Sequence, residues 1–257
     1  MAELPLPPLE MRKLVGPTDP EMFDNPDGSL VFPQVSLEKQ TSVFDFGCGC
    51  GRIARMLIQQ NPPPKRYVGI DLHQGMIKWC QNNLLPQAIG FEFLHQDVFN
   101  AGFNPQGKTQ ALPFPVEDNA FQLVLAWSVF THILEDQVLF YLKEVARILA
   151  NDGIFLSTWF TFDKQLFPRM QSFQNALYIN TIDPSNAVIF DRTWLKSVVQ
   201  EAGLQIVKID PPNIRGFQWR IHMSHYRSEL PDIDFPADLA PFGLARPPVM
   251  QSDPSLI

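Results

Sequence analysis

An acid and three glycines are the residues of this 257-residue chain best spaced to do chemistry. In Ser42–Arg52, SVFDFGCGCGR, an apolar run leads into Asp45, and Gly47, Gly49 and Gly51 follow at every second position. Glycine admits φ > 0 and lets a ligand lie against bare backbone. The helix-like stretch Ile53–Ile58 then opens with free N–H groups for polar ligand atoms. Strand, glycine turn and helix in that order predict a site for a nucleotide-like ligand. A dinucleotide site carries G-x-G-x-x-G, but Arg52 stands where its last glycine would fall. The Asp45 carboxylate beside the turn also disfavours a pyrophosphate, because like charges repel.

The elements that must position these residues alternate. Strands are expected at 42–46, 66–71, 91–96, 121–127, 153–159, 204–210 and 217–224. Helices are expected at 52–60, 74–84, 135–149 and 193–201. Val138, Leu142, Val145 and Leu149 make one apolar stripe. Asn151-Asp152-Gly153 and Ala202-Gly203 are expected to end their helices in left-handed backbone. Repeated strand–helix units imply an α/β fold with a parallel sheet covered on both faces. Residues 1–40 read as an N-terminal segment with one short helix at Leu9–Val15, residues 41–225 as the main domain, and 226–257 as a proline-rich tail held through Phe235 and Phe242 or left disordered. Ala101–Pro115, with its glycines and prolines, is a long loop at the ligand edge of the sheet, either a binding element or a tolerated insertion.

The formal net charge of -7 argues against nucleic acid as a partner. No apolar run reaches the ~20 residues of a membrane span. Cys48, Cys50 and Cys80 cannot all pair, which fits a reducing, cytoplasmic setting. No Cys or His cluster completes a metal site around Cys48 and Cys50, so no metal is expected. They read instead as small apolar fillers beside the ligand.

A ligand carrying an ammonium and a sulfonium but no phosphate suits Asp45, and S-adenosylmethionine is such a ligand. The segment from Asp45 to Arg52 resembles the first motif of the class I S-adenosylmethionine-dependent methyltransferases. Further matches are Tyr67–Asp71, Met76, His95–Val98, Leu112–Pro115 with Phe121–His132, and the helix and strand of Tyr141–Trp159. The resemblance covers about residues 41–210 and is similar to the bacterial small-molecule group. It implies a Rossmann-like, seven-stranded, mostly parallel sheet. It also implies cofactor contacts at Asp45, Gly47, Cys48, Gly49 and Gly51. Asp71, with Leu72 beside it, would accept from both ribose hydroxyls, as a carboxylate with two acceptor oxygens can. Met76 would pack near the adenine, Asp97 would take the adenine amino group and the Val98 N–H its ring nitrogen. Trp127 and Ser128 would lie near the methyl group. Gln122 departs from the Asp common there in the family.

His132, just past that strand end, is the candidate general base, since a hydroxyl nucleophile gains from a group that takes its proton. Its plainer reading is a surface histidine. Arg12 or Arg52 could grip the methionine carboxylate. His222 lies on a polar strand face expected to be solvated. The implied acceptor is a hydroxyl of a small molecule, with a nitrogen acceptor as the rival. Binding without catalysis, and aminopropyl transfer, are the readings from other classes.

Overall fold

The computed structural model describes residues 4–167, 169–212 and 217–236. In chain order these form α1 (Leu9–Leu14), β1 (Ser42–Phe46), α2 (Arg52–Gln59), β2 (Arg66–Asp71), α3 (Gln74–Asn83), β3 (Phe91–His95), β4 (Phe121–Ala126), α4 (Glu135–Ile148), β5 (Leu149–Phe162), β6 (Ala176–Tyr178), β7 (Val188–Asp191), α5 (Arg192–Glu201), β8 (Leu204–Asp210) and β9 (Trp219–His225). Strands β3-β2-β1-β4-β5 pair in parallel. Strand β5 is long enough to carry two neighbours on its far side. Phe155–Trp159 pair antiparallel with β9, which pairs with β8, while Phe160–Phe162 pair with β7, which pairs with β6.

Successive residues of a strand face opposite sides, and both sides of this sheet are apolar, as burial under helices requires. Phe44, Val124 and Phe155 join the core beneath α4 and α5. Their neighbours Val43, Leu123, Leu125 and Leu156 join the core on the α2 and α3 side. The α4 stripe is buried at Val138, Leu142 and Val145, with Glu135 and Asp136 in the first turn and Arg147 in the last, the charge order a helix dipole favours. Asp191 caps α5 by accepting the Trp194 N–H at 3.0 Å.

The N-terminal segment is tied to the sheet domain by polar groups on α2 and just after it. Arg55, 3% exposed, donates to the carbonyls of Leu4, Pro5 and Phe23 at 2.9, 3.1 and 2.8 Å and pairs with Asp24. Gln59 and Gln60 accept the N–H groups of Asn25 and Val31.

Several expectations need correction. Asn151-Asp152-Gly153 do not enter left-handed backbone; Leu149 turns extended (ψ 129°) and the chain runs straight into β5 across a register shift. Gly203 does take the left-handed form, at φ +79°. The last strand begins at Trp219, because Phe217 has φ +57°, outside strand geometry. Its polar face is not solvated: His222 and Ser224 are 4% and 7% exposed. Strands β6 and β7 lie in a stretch that showed no strand pattern. Phe235 packs edge-on against Trp219, while Phe242 lies outside the described residues. Among the described residues no helix is long and apolar enough to cross a membrane.

Candidate active site

A cavity of about 600 Å³ runs along the carboxyl edge of the sheet, from the ends of β2 and β1 past β4 to β5 and β9. This is where open α/β sheets place their ligands. Asp45, Gly47, Cys48, Gly49, Asp71, Leu72, Met76, Val98, Trp127, Ser128 and His132 all line it. The segment Leu14–Pro17, with Met22, forms part of its wall from the N-terminal side.

The glycine turn is left-handed at each glycine: φ is +80° at Gly47, +54° at Gly49 and +78° at Gly51. A side chain would also collide. A Cβ on Gly47 would stand 2.3 Å from Val129 Cγ2, and one on Gly49 2.6 Å from Val15 Cγ1. Gly51 does not line the cavity; it starts α2 and packs toward Leu84 and Cys80. The cysteines are buried and free. Burial pushes the Cys48 thiol well up and the Cys50 thiol up to about 12, so both behave as apolar fillers.

Asp45 is 1% exposed. Its Oδ2 accepts the Tyr67 hydroxyl at 2.7 Å, and its Oδ1 is buried with no hydrogen-bond partner. Burial raises its pKa to about 6, against the opposing Tyr67 bond and the charge of Arg52. A buried carboxylate oxygen without a donor, on a cavity wall, fits a cationic ligand group. Asp71 is engaged by backbone: its Oδ2 accepts Gly49 N–H at 2.8 Å and its Oδ1 accepts His73 N–H at 2.7 Å. Burial raises its pKa, with those two bonds opposing. It does not cap α3, a place taken by His73, whose Nδ1 accepts the Met76 N–H. Each Asp71 oxygen keeps a lone pair for a ligand.

The third strand end departs from the sequence reading. Asp97 does not line the cavity; it accepts from Asn104 Nδ2 at 3.3 Å and lies 4.0 Å from Lys108. The Val98 N–H donates to the Gln96 carbonyl at 2.8 Å. The loop of 101–115 folds back through paired bridges, Val98 with Thr109 and Asn100 with Asn104, and brings Asn100 and Phe103 into the cavity wall.

Ser128 sits past β4 with φ +60°, a conformation costing ~1–2 kcal/mol in a non-glycine residue. Two bonds hold it there: its N–H donates to Thr158 Oγ1 at 2.7 Å and its hydroxyl to Gln218 Oε1 at 2.9 Å. His132 ends a short helical turn anchored by Phe130, which stacks on Trp159 at 4.1 Å. Its Nδ1 meets the Ser185 carbonyl at 3.0 Å. A carbonyl only accepts, so Nδ1 carries a proton and Nε2 is the nitrogen left to meet a ligand. Phe103 packs edge-on against the same ring at 5.4 Å.

Of the two candidate arginines, Arg52 lines the cavity, whereas Arg12 donates to the carbonyls of Pro7 and Thr18 in its own segment. His222 does not line it and is bonded to Asp210 at 2.9 Å. Gln96, inside the His95–Val98 match but given no role there, also lines the cavity, as do Thr158, Gln218 and Arg220, which no motif singled out. The alternation of Gln218 and Arg220 on β9 was the available signal, but it reads the same for a solvated face. Among the described residues no His, Cys, Asp and Glu group could hold a metal ion.

Residues 43–153 match a family model described as a methyltransferase domain. Among solved structures the chain is similar to a SAM-dependent methyltransferase from Aquifex aeolicus, at 13% identity over 85% of this chain and 98% of that one, with a TM-score of 0.53. It is similar to one from Methanosarcina mazei at 16% identity over 74% and 94%, TM-score 0.51. A third, an O-methyltransferase from neocarzinostatin biosynthesis in complex with S-adenosylmethionine and 2-hydroxy-5-methyl naphthoic acid, matches at 13% identity over 76% of this chain and 52% of that one, TM-score 0.51. At such identities the structural likeness carries the fold. Over residues 43–153 the family model and the sheet order agree on a class I methyltransferase domain. The family match supports S-adenosylmethionine as the cofactor and methyl transfer dependent on it.

Proposed function

We propose that the protein moves a methyl group from S-adenosylmethionine to a hydroxyl of a small molecule. The observation that carries this reading is His132, whose Nδ1 is tied to the Ser185 carbonyl while the residue lines the cavity past β4. Bound S-adenosylmethionine supplies a methyl group on a sulfonium, whose departure leaves a neutral thioether. In this reading Asp45 Oδ1 receives the ammonium, the turn Gly47–Gly49 cradles the methionine part with Arg52 near its carboxylate, and Asp71 accepts from the ribose. Met76, Leu72 and Val98 bound the adenine end, where Gln96 stands on the cavity wall in place of Asp97. Trp127 and Ser128 lie beside the reacting carbon. His132 Nε2 takes the acceptor's hydroxyl proton as the oxygen bonds to the methyl carbon. The segment Leu14–Pro17 serves as a lid, which together with the cavity's size suits a small acceptor.

A neighbour of the same fold that methylates oxygen adds plausibility to a hydroxyl acceptor and nothing about its identity. The test has two arms. Calorimetry with S-adenosylhomocysteine should show binding. Isotope-labelled S-adenosylmethionine, offered with a panel of hydroxylated and aminated small molecules, should label oxygen by mass spectrometry. Labelling of nitrogen alone, or of nothing, overturns the hydroxyl reading.

A further inference from the structure

The cavity changes character along the sheet. Its carboxylates, Asp45 and Asp71, stand on β1 and β2. At its other end the wall is made by Thr158 on β5 and by Gln218 and Arg220 at the start of β9, three strands from β1 and so roughly 14 Å away at the usual strand spacing. Every one of these three has a donor to spare. Thr158 is 2% exposed and its Oγ1 accepts the Ser128 N–H, which leaves its own hydroxyl proton undirected. Gln218 uses its oxygen for the Ser128 hydroxyl, so its amide nitrogen is free to donate. Arg220 spends Nε on Asp210 at 2.9 Å, and neither of its terminal nitrogens has a protein acceptor among the described residues.

The local charge is also unbalanced. Asp210 is bonded by Lys208, Arg220 and His222, each at 2.9 Å. Burial disfavours its charge, but these three bonds together pull its pKa down to about 2, so it is ionised. His222 is driven toward its neutral form by burial, against the pull of Asp210. Two permanent cations therefore share one anion, which leaves about one positive charge beside the cavity. A wall whose three residues each have a donor to spare, with that charge, accepts a carboxylate. A phosphate, at nearly two negative charges, is not matched by it.

We propose that Thr158, Gln218 and Arg220 form a carboxylate subsite, and that the methyl acceptor is a hydroxy acid held by its acid group with its hydroxyl toward His132. This rests on the proposed reading of the cavity as the methyl-transfer site. Asp210 is the positioning residue: it fixes Arg220 through Nε and leaves the planar fork of terminal nitrogens for two-point contact.

Calorimetric titration of the full chain with 2- and 4-hydroxybenzoate and their neutral amides, at saturating S-adenosylhomocysteine, tests it. At least one acid should bind about tenfold or more tighter than its amide, the worth of a charge-assisted bond. Arg220→Gln should abolish that preference, Arg220→Lys should keep part of it, and both should bind S-adenosylhomocysteine within twofold of wild type. Equal binding of acid and amide, no binding of either acid, or a preference that survives in Arg220→Gln overturns the subsite. Should Arg220→Gln fail to fold, loss of the two-point contact in Arg220→Lys decides: unchanged acid affinity there is fatal to the idea. Acid preference without any S-adenosylhomocysteine binding would leave the subsite standing and remove the proposed function.

Discussion

Tyr67 donates its hydroxyl to Asp45 Oδ2 at 2.7 Å and so fixes a buried carboxylate whose second oxygen has no donor. The apo protein bears this as a cost. With its pKa raised by burial from 3.8 to about 6, Asp45 holds its proton longer folded than unfolded. Its contribution to stability is full below about pH 4 and is lost as pH rises through about 6, a fall of order 3 kcal/mol by linkage. Urea unfolding of the apo protein across that window should show the fall, and Asp45→Asn should show a smaller one, because Asp71, also raised by burial, keeps its own share. The same variant should bind S-adenosylhomocysteine ~2–4 kcal/mol more weakly, the cost of removing one partner of a buried charge pair. In wild type, binding near pH 5 should release a proton to the buffer. An Asp45→Asn protein with the wild-type pH profile would remove Asp45 as the source.

Val15, in the segment proposed as a lid, stands over Gly49 of the turn. Gly49→Ala should cost ~1–2 kcal/mol from its φ of +54° and more from the methyl it would press on Val15 Cγ1. In a Val15→Ala background only the backbone part should remain, giving a coupling of about 1 kcal/mol in a double-mutant cycle. Additive losses would show that the two residues do not press on one another in solution.

How much of this was legible in the sequence depended on the range of the interaction. The turn Ser42–Arg52, the strand end at Asp71 and, to within one residue, the end of β4 before Trp127 were readable because glycine spacing and apolar periodicity are local. Asn151-Asp152-Gly153 misled because the register shift between β4 and β5 keeps them extended, and a neighbouring strand imposes that. Asp97 was placed by motif, but the loop of 101–115 draws it to Asn104 and Lys108. Arg55 looks like any helix arginine until the N-terminal segment folds over it. Ser128 gave no sign of its positive φ, which depends on Thr158 and Gln218, 30 and 90 residues away in sequence. The polar face of β9 was visible as an alternation, yet only the fold shows that part of it meets the cavity.

Asp71 does structural work before any ligand arrives. Its two oxygens hold the N–H groups of Gly49 and His73, so Asp71→Ala strands two backbone donors. At ~1–3 kcal/mol for each donor left unsatisfied, the apo protein should lose about 2–6 kcal/mol in urea unfolding. Asp71→Asn, which keeps an acceptor oxygen, should lose less. Both should bind S-adenosylhomocysteine poorly. Full apo stability in Asp71→Ala would mean that the turn holds itself and that Asp71 serves the ligand alone.

His132 separates chemistry from binding. Its Nδ1 bond to the Ser185 carbonyl sets the ring's tautomer, so its contribution is expected in the chemical step. His132→Ala should lower kcat by about 10²–10⁴, the usual worth of a general base, with S-adenosylhomocysteine affinity within twofold and an unchanged melting temperature. A variant with unchanged kcat and unchanged acceptor KM would assign the proton to another group and reduce His132 to packing against Phe103. If kcat holds and only the acceptor's KM rises, His132 orients the hydroxyl without taking its proton.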